Sequence, residues 1–275
     1  MKQVFTRVAV KVGSNVLTRR DGTLDVTRMS ALVDQIAELH KSGVEIILIS
    51  SGAVASGRSE VSPQKKLDSV DQRQLFSAVG QAKLINRYYE LFREHNIPVG
   101  QVLTTKESFG TRRHYLNQKN CMTVMLANGV IPIVNENDTV STYEMQFGDN
   151  DTLSAIVAAL IDADLLLLLS DIDGLFTDDP NSNPNAELIH VVEKLDDHLL
   201  KMGKSTSTSD VGTGGMASKL TAAKLASAAG TDMVIANGED FRNIHRVIEG
   251  QDCGTLFLSH KKDEFYLMDY LEKML

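Results

Sequence analysis

Five leucines in succession, Leu165–Leu169, stop at Ser170 and Asp171. A strand with no polar position leaves no face for water, so protein must cover both of its sides. The surrounding run at 154–171, SAIVAALIDADLLLLLSD, is the most membrane-like of the chain. Asp162 and Asp164 divide it into two pieces, each too short to span a bilayer. It reads instead as a buried helix over 151–162 followed by a buried strand over 165–169. EIILIS at 45–50 is a second continuous run and predicts a parallel strand. Further strands are expected over 4–12, near 97–103, over 130–134 and over 233–236. Helical spacing marks 26–41, 71–95, about 113–128, 214–229 and 240–249. On 71–95 the apolar stripe reads as Leu75, Val79, Ala82, Ile85, Tyr89 and Phe92. Strands and helices alternate almost throughout. The expected fold class is therefore α/β, a three-layer αβα sandwich with a mostly parallel central sheet.

Charge narrows the partners. Against 28 Lys and Arg stand 36 Asp and Glu, a net charge of −8. Bulk electrostatics does not favour nucleic acid or anionic lipid, and neither is expected as a partner. An anionic ligand would be held by a few local charges and backbone dipoles. The opening MKQVFTRVAVKVG is interrupted by Arg7 and Lys11, so no signal peptide is expected. Cys121 and Cys253 share no metal-ligand spacing, and a cytoplasmic location is the expectation.

Three glycine-rich turns border these elements: AVKVGSN at 9–15, ILISSGAVASG at 47–57 and GTGGMASK at 212–219. Glycine lets the backbone approach an anion, and a helix N-terminus adds free N–H groups and a positive dipole end. Gly13 and Gly52 are candidates to supply such N–H groups. One turn of this kind is ordinary chain geometry. Three of them, with Lys11 and Lys219 beside them in an acidic α/β chain, favour an anion site. Gly203-Lys204-Ser205 looks like the end of a P-loop, but His198 stands where its first glycine belongs. Gly212, Gly214 and Ala217 match a dinucleotide fingerprint, with Asp232 at a plausible distance, yet the preceding STSTSDV does not read as a strand.

Polar residues also collect where buried runs end. VIPIVNENDTV delivers Asn135, Glu136, Asn137 and Asp138, and FGDNDTLSA places Asp149, Asn150 and Asp151 at a helix start. A loop followed by an N-cap accounts for either cluster alone. Together they flank one loop at the carboxyl end of an expected strand, where open α/β sheets bind ligands. Amides and carboxylates suit a ligand carrying an ammonium and a carboxylate group, such as an amino acid. Ser170 and Asp171 arrive at the same edge.

Six blocks, VKVGSNVLT, ISSGAVASG, VNENDTV, FGDNDTLSA, SDIDGLFTDDPNSNPNAELI and GTGGMASKLTAAKLASAAG, occur in this order. They resemble the amino-acid kinase superfamily, and within it the glutamate 5-kinases, from about Val4 to Leu258. The resemblance implies the amino-acid kinase fold, ATP and Mg²⁺ as cofactors, and L-glutamate as substrate. The side-chain carboxylate of glutamate would be phosphorylated to γ-glutamyl phosphate, the first step of proline biosynthesis. A kinase domain over 1–258 is implied, with an amino-acid-binding lobe over about 1–163 and a nucleotide-binding lobe over about 164–258. Residues 259–275 would form an amphipathic helical tail.

By the same resemblance, Lys11 and Lys219 would contact the transferring phosphoryl group and the ATP phosphates, with Asp171 orienting both. Ser51, Asp138 and Asn150 would bind glutamate, with Asn135 and Asp151 close by. Ser170, Asp171 and the segment Thr213, Gly214, Gly215, Met216, Ala217, Ser218 and Lys219 would line the nucleotide site. Mg²⁺ would be held mostly by ATP oxygens and waters, with no protein ligand assigned. A carboxylate is already nucleophilic at neutral pH, so positioning and charge neutralisation are what the reaction needs. Many members carry a C-terminal PUA domain, which a chain ending at Leu275 is expected to lack. A homo-oligomer and feedback by proline are further implications. Two alternatives stand beside this reading. A kinase for another small acid such as N-acetylglutamate would not need the charge of Asp138. A non-catalytic ligand-binding regulatory module would not need both lysines and Asp171.

Overall fold

The computed structural model describes residues 5–141, 149–180, 182–196, 199–200, 215–261 and 265–272. The strands are β1 (Arg7–Val12), β2 (Glu45–Ser50), β3 (Val99–Thr104), β4 (Ile131–Glu136), β5 (Leu165–Ser170), β6 (Val191–Val192), β7 (Asp232–Asn237) and β8 (Thr255–Phe257). They form one sheet in the order β3-β4-β2-β1-β5-β7-β8-β6. From β3 to β7 every pairing is parallel; β8 runs antiparallel to β7, and β6 runs parallel to β8. The helices are α1 (Ser14–Leu17), α2 (Val26–Lys41), α3 (Ala53–Arg58), α4 (Ser69–Glu94), α5 (Arg112–Ala127), α6 (Asn150–Leu160), α7 (Met216–Ala229), α8 (Asn243–Ile248) and α9 (Leu267–Glu272). No helix among the described residues is long and apolar enough to cross a membrane.

The leucine run occupies the middle of the sheet as β5, between β1 and β7. Its residues divide between two cores. Leu165, Leu167 and Leu169 join Val8, Val10 and Val12 on the side covered by α2, α4 and α8. Leu166 and Leu168 join Ala9 and Ile49 on the side covered by α5, α6, α7 and α9. All six residues of β5 are buried, as a strand covered on both faces requires. The same alternation turns Lys11 toward the side of α6 and α7, as the pleat directs residues two apart to one face. In the order of the sheet, β2 lies on one side of β1 and β5 on the other. This is a topological switch point, and the crevice beyond the carboxyl ends of β1, β2, β4 and β5 opens there.

The edge of the sheet and the packing of α4 depart from the sequence reading. The short pair β6 and β8 was not anticipated; two or three residues carry too little periodicity to be seen. The stripe of α4 is also rotated by about one residue. Phe76, Ser77, Gly80, Gln81, Leu84, Tyr88 and Phe92 are buried, whereas Tyr89 is half exposed. Backbone contact with α3 selects this face. A Cβ at Gly80 would lie 1.8 Å from the Ala53 carbonyl oxygen, and one at Gly57 would lie 1.8 Å from that of Phe76. Side chains at these crossings would force the helices apart, so the small residues decide which side of α4 turns inward. Gly80→Ala is therefore expected to destabilise the protein by about 1–3 kcal/mol or more. It should also displace the Ser51-Gly52 turn that enters α3. Chemical denaturation together with substrate KM values checks both effects.

Within the described part of the tail, α9 covers Leu267–Glu272, while residues 259–261 are not helical. Leu267 and Leu271 pack into the core beside α6, which gives its apolar face a partner within the chain.

Candidate active site

The carboxyl ends of the central strands surround a cavity of about 550 Å³. Lys11, Ser51, Asn135, Asp138, Asn150, Ser170, Asp171 and Lys219 all border it. Most sequence-derived candidates thus converge on one place. Gly215, Met216, Ala217 and Ser218 form the cap and first turn of α7, which carries Lys219. Thr213 and Gly214 lie outside the described residues.

The centre of the site is buried. Lys11, from β1, places Nζ 2.5 Å from Oδ1 of Asp151. Lys219, from α7, places Nζ 3.1 Å from Oδ2 of the same carboxylate. Asp151 is fully buried, and the two lysines are 6% and 4% exposed. Burial alone would raise the Asp151 pKa. The charges of Lys11 and Lys219, with their hydrogen bonds, outweigh it and hold the pKa below the ordinary aspartate value. Ser218 Oγ donates to the same carboxylate at 3.1 Å. The sequence reading gave the task of orienting both lysines to Asp171 and placed Asp151 with the substrate residues. The geometry puts Asp151 between the lysines instead. Asp171 accepts hydrogen bonds from Asn15 Nδ2 at 2.9 Å and Ser170 Oγ at 3.1 Å, and Lys219 reaches it through its charge. Burial raises the Asp171 pKa, but these partners together bring it down.

The start of α6 separates tasks by residue. Asp149 caps the helix, accepting from the Thr152 N–H at 2.7 Å. Burial is the main reason its pKa is raised. Asn150 and Asp151 are thereby held at the first turn, Asp151 at the positive end of the helix dipole. The Asn150 amide donates to Ser51 Oγ and to Asn135 Oδ1, each at 3.0 Å. Asn135 in turn donates to Gln81 Oε1 at 2.9 Å and accepts from the Glu136 N–H at 2.9 Å. The ends of β2 and β4, the middle of α4 and the start of α6 are thus tied into one amide network.

Asp138 borders the same cavity as the lysines. Burial raises its pKa, opposed by the neighbouring Arg73. Arg73, on α4, places Nη2 2.6 Å from Asp138 Oδ1 and 3.4 Å from Glu136 Oε2, and its Nε donates to Asp138 at 2.8 Å. Neither Arg73 nor Gln81 stood out in the sequence; each is one polar residue on a long mixed helix. The expectation that Gly13 offers an N–H to an anion is corrected: that group donates to the Leu169 carbonyl at 3.1 Å and continues the sheet.

Two buried lysines converge on the two oxygens of one carboxylate, a concentration of positive charge that suits the oxygens of a phosphoryl group. The same cavity is bordered by the carboxylates of Asp138, Glu136 and Asp149 and the amides of Asn135 and Asn150. Together these groups suit an anion held by the lysines and a small zwitterion held by the carboxylates and amides.

Comparison with known proteins accords with this. The model of the amino acid kinase family matches residues 6–237. A glutamate 5-kinase of Bacteroides thetaiotaomicron is 69% identical over 87% of this chain and 66% of its own length. The chain therefore spans about two thirds of that relative. One of Clostridium acetobutylicum is 43% identical over 93% of this chain and 96% of its own length. Among solved structures, isopentenyl phosphate kinase of T. acidophilum, in a product complex, superposes with a TM-score of 0.63 at 15% identity, covering 92% of this chain and all of that one.

Proposed function

We propose that this chain, which belongs to the amino acid kinase family, phosphorylates the side-chain carboxylate of L-glutamate with ATP, the activity named for its relatives. The product is γ-glutamyl phosphate, the first intermediate of proline biosynthesis. One observation carries the reading: Lys11 and Lys219 meet on Asp151 beside a pocket bordered by Ser51, Asp138 and Asn150.

The residues divide the work. Asp138 takes the substrate ammonium, and Ser51 and Asn150 hold the substrate against the amide network, with Asn135 behind them. The γ-carboxylate then faces the lysines, where it attacks the phosphoryl group directly, so no general base is needed. Lys11 and Lys219 neutralise charge on the phosphoryl oxygens, and Asp151 fixes both in advance. Ser170, Asp171 and the segment 213–219 border the nucleotide. The lobes are about 1–163 for the amino acid and about 164–258 for ATP, joined by one unbroken sheet. Among the described residues no group of three His, Cys, Asp or Glu side chains is arranged to hold a metal ion. Mg²⁺ would be held mostly by ATP oxygens and water, where it would supply charge neutralisation. A cytoplasmic location, a homo-oligomer and feedback by proline, which carries an α-carboxylate beside a cationic, secondary amine, belong to this proposal.

The test is ADP release with ATP and Mg²⁺, with glutamate, N-acetylglutamate and aspartate as parallel acceptors. Release with glutamate alone is expected. Release with N-acetylglutamate alone would overturn the assignment of Asp138. Asp138→Asn should raise the KM for glutamate about 10- to 100-fold, the worth of one charged hydrogen bond. The KM for ATP should stay within about twofold by this division of the site. Equal changes in both would contradict the assignment.

A further inference from the structure

The pocket that suits an ammonium group is poorly suited to the carboxylate borne by the same carbon. Asp138, Glu136 and Asp149 all border it. An amino acid's α-carboxylate entering beside them would be repelled, and burying it without a counter-charge is costly. Four cations border the cavity among the described residues: Lys11, Arg58, Arg73 and Lys219. Lys11 and Lys219 are held on Asp151 for the phosphoryl group. Arg58 is exposed and lies over the Phe76 ring at 5.7 Å. Arg73 remains, and it sits on Asp138 itself.

We propose that Arg73 binds the α-carboxylate of the amino-acid substrate, forming with Asp138 a paired cation and anion that reads the α-ammonium and α-carboxylate together. This inference rests on the amino-acid kinase reading above. The Arg73–Asp138 contact stands in for the substrate's two charges. When the ammonium takes its place on Asp138, the guanidinium turns part of its fork to the carboxylate while Glu136 keeps its position. Guanidinium suits this role because its planar donors match a carboxylate two at a time. The pair makes the site specific for a free α-amino acid, over acids that lack either charge.

The experiment compares two acceptors in steady-state assays: L-glutamate and its α-amide. The amide keeps the ammonium and the γ-carboxylate but not the α-charge. Wild type should prefer glutamate in kcat/KM by about 10- to 100-fold, the range of one charged hydrogen bond. In Arg73→Ala that preference should fall to within about threefold. The loss should lie almost wholly in glutamate, because removing Arg73 leaves Asp138 more available to the ammonium. Arg73→Lys should restore part of the preference, and it serves as the readout where the alanine variant folds poorly by circular dichroism. An unchanged glutamate-to-amide ratio in both variants, or an equal fall for the two acceptors, would overturn the inference. The latter would reduce Arg73 to a support for Asp138. A wild-type protein that phosphorylates neither acceptor would instead remove the reading of the site as a glutamate kinase, and this inference with it.

Discussion

Lys219→Ala is expected to lower turnover by about 10³-fold or more while the protein remains folded, since charged groups that stabilise a transferring phosphoryl are worth this much. Lys219 enters the site on α7, and its ammonium shares Asp151 with Lys11. Its removal leaves the Lys11–Asp151 pair one to one, so the loss does not strand an unpaired buried charge. Alanine also suits the helix interior. The cost in stability should therefore stay near the ordinary range for one substitution, about 1–2 kcal/mol. Measuring kcat together with thermal unfolding checks both parts. Near-normal turnover in a folded variant would end the role given to this lysine.

Asp151→Asn should affect both quantities. The carboxylate is fully buried between two buried ammonium groups. An amide cannot neutralise them, and breaking a buried charge cluster from one side costs about 3–5 kcal/mol. Turnover should fall about as far as in Lys219→Ala, since both lysines lose their anchor. The pH dependence has a definite sign. The folded pKa of Asp151 is lowered, so its contribution is fully present above the unfolded value of about 3.9 and disappears only as pH falls through the lower folded value. The stability difference between wild type and Asp151→Asn should be flat from about pH 5 to 8 and shrink only in stronger acid. Denaturant unfolding across pH measures it. A difference that vanished near neutrality would mean that Asp151 is not the ionised partner of the lysines.

Much of this site could be read in the chain because each participant closes a regular element. Lys11 lies near the end of β1, Ser51 just past β2, Asn135 and Asp138 at and beyond the end of β4, and Ser170 and Asp171 at the end of β5. Continuous apolar runs fix those strands, and a parallel sheet brings their carboxyl ends to one edge. What could not be read depends on contacts across that edge. Asp151 looks in the sequence like any acid in a first helical turn. Only the meeting of α6, α7 and β1 makes it the bridge between the lysines. Arg73 shows nothing in its local pattern, since its task is set by the approach of α4 to the end of β4. Hydrophobic spacing on α4 points to Tyr89 as buried, but backbone contact at Gly80 and Gly57 governs the packing. The N–H of Gly13, a candidate anion donor by sequence, is used by the sheet itself.

The most direct test of the central claim identifies the acceptor atom. Hydroxylamine in the assay traps an acyl phosphate as a hydroxamate. With ATP, Mg²⁺ and L-glutamate, the account predicts γ-glutamyl hydroxamate in step with ADP, one for one. ADP released without hydroxamate, or hydroxamate formed equally well in Lys219→Ala, would contradict phosphoryl transfer to the side-chain carboxylate at this site.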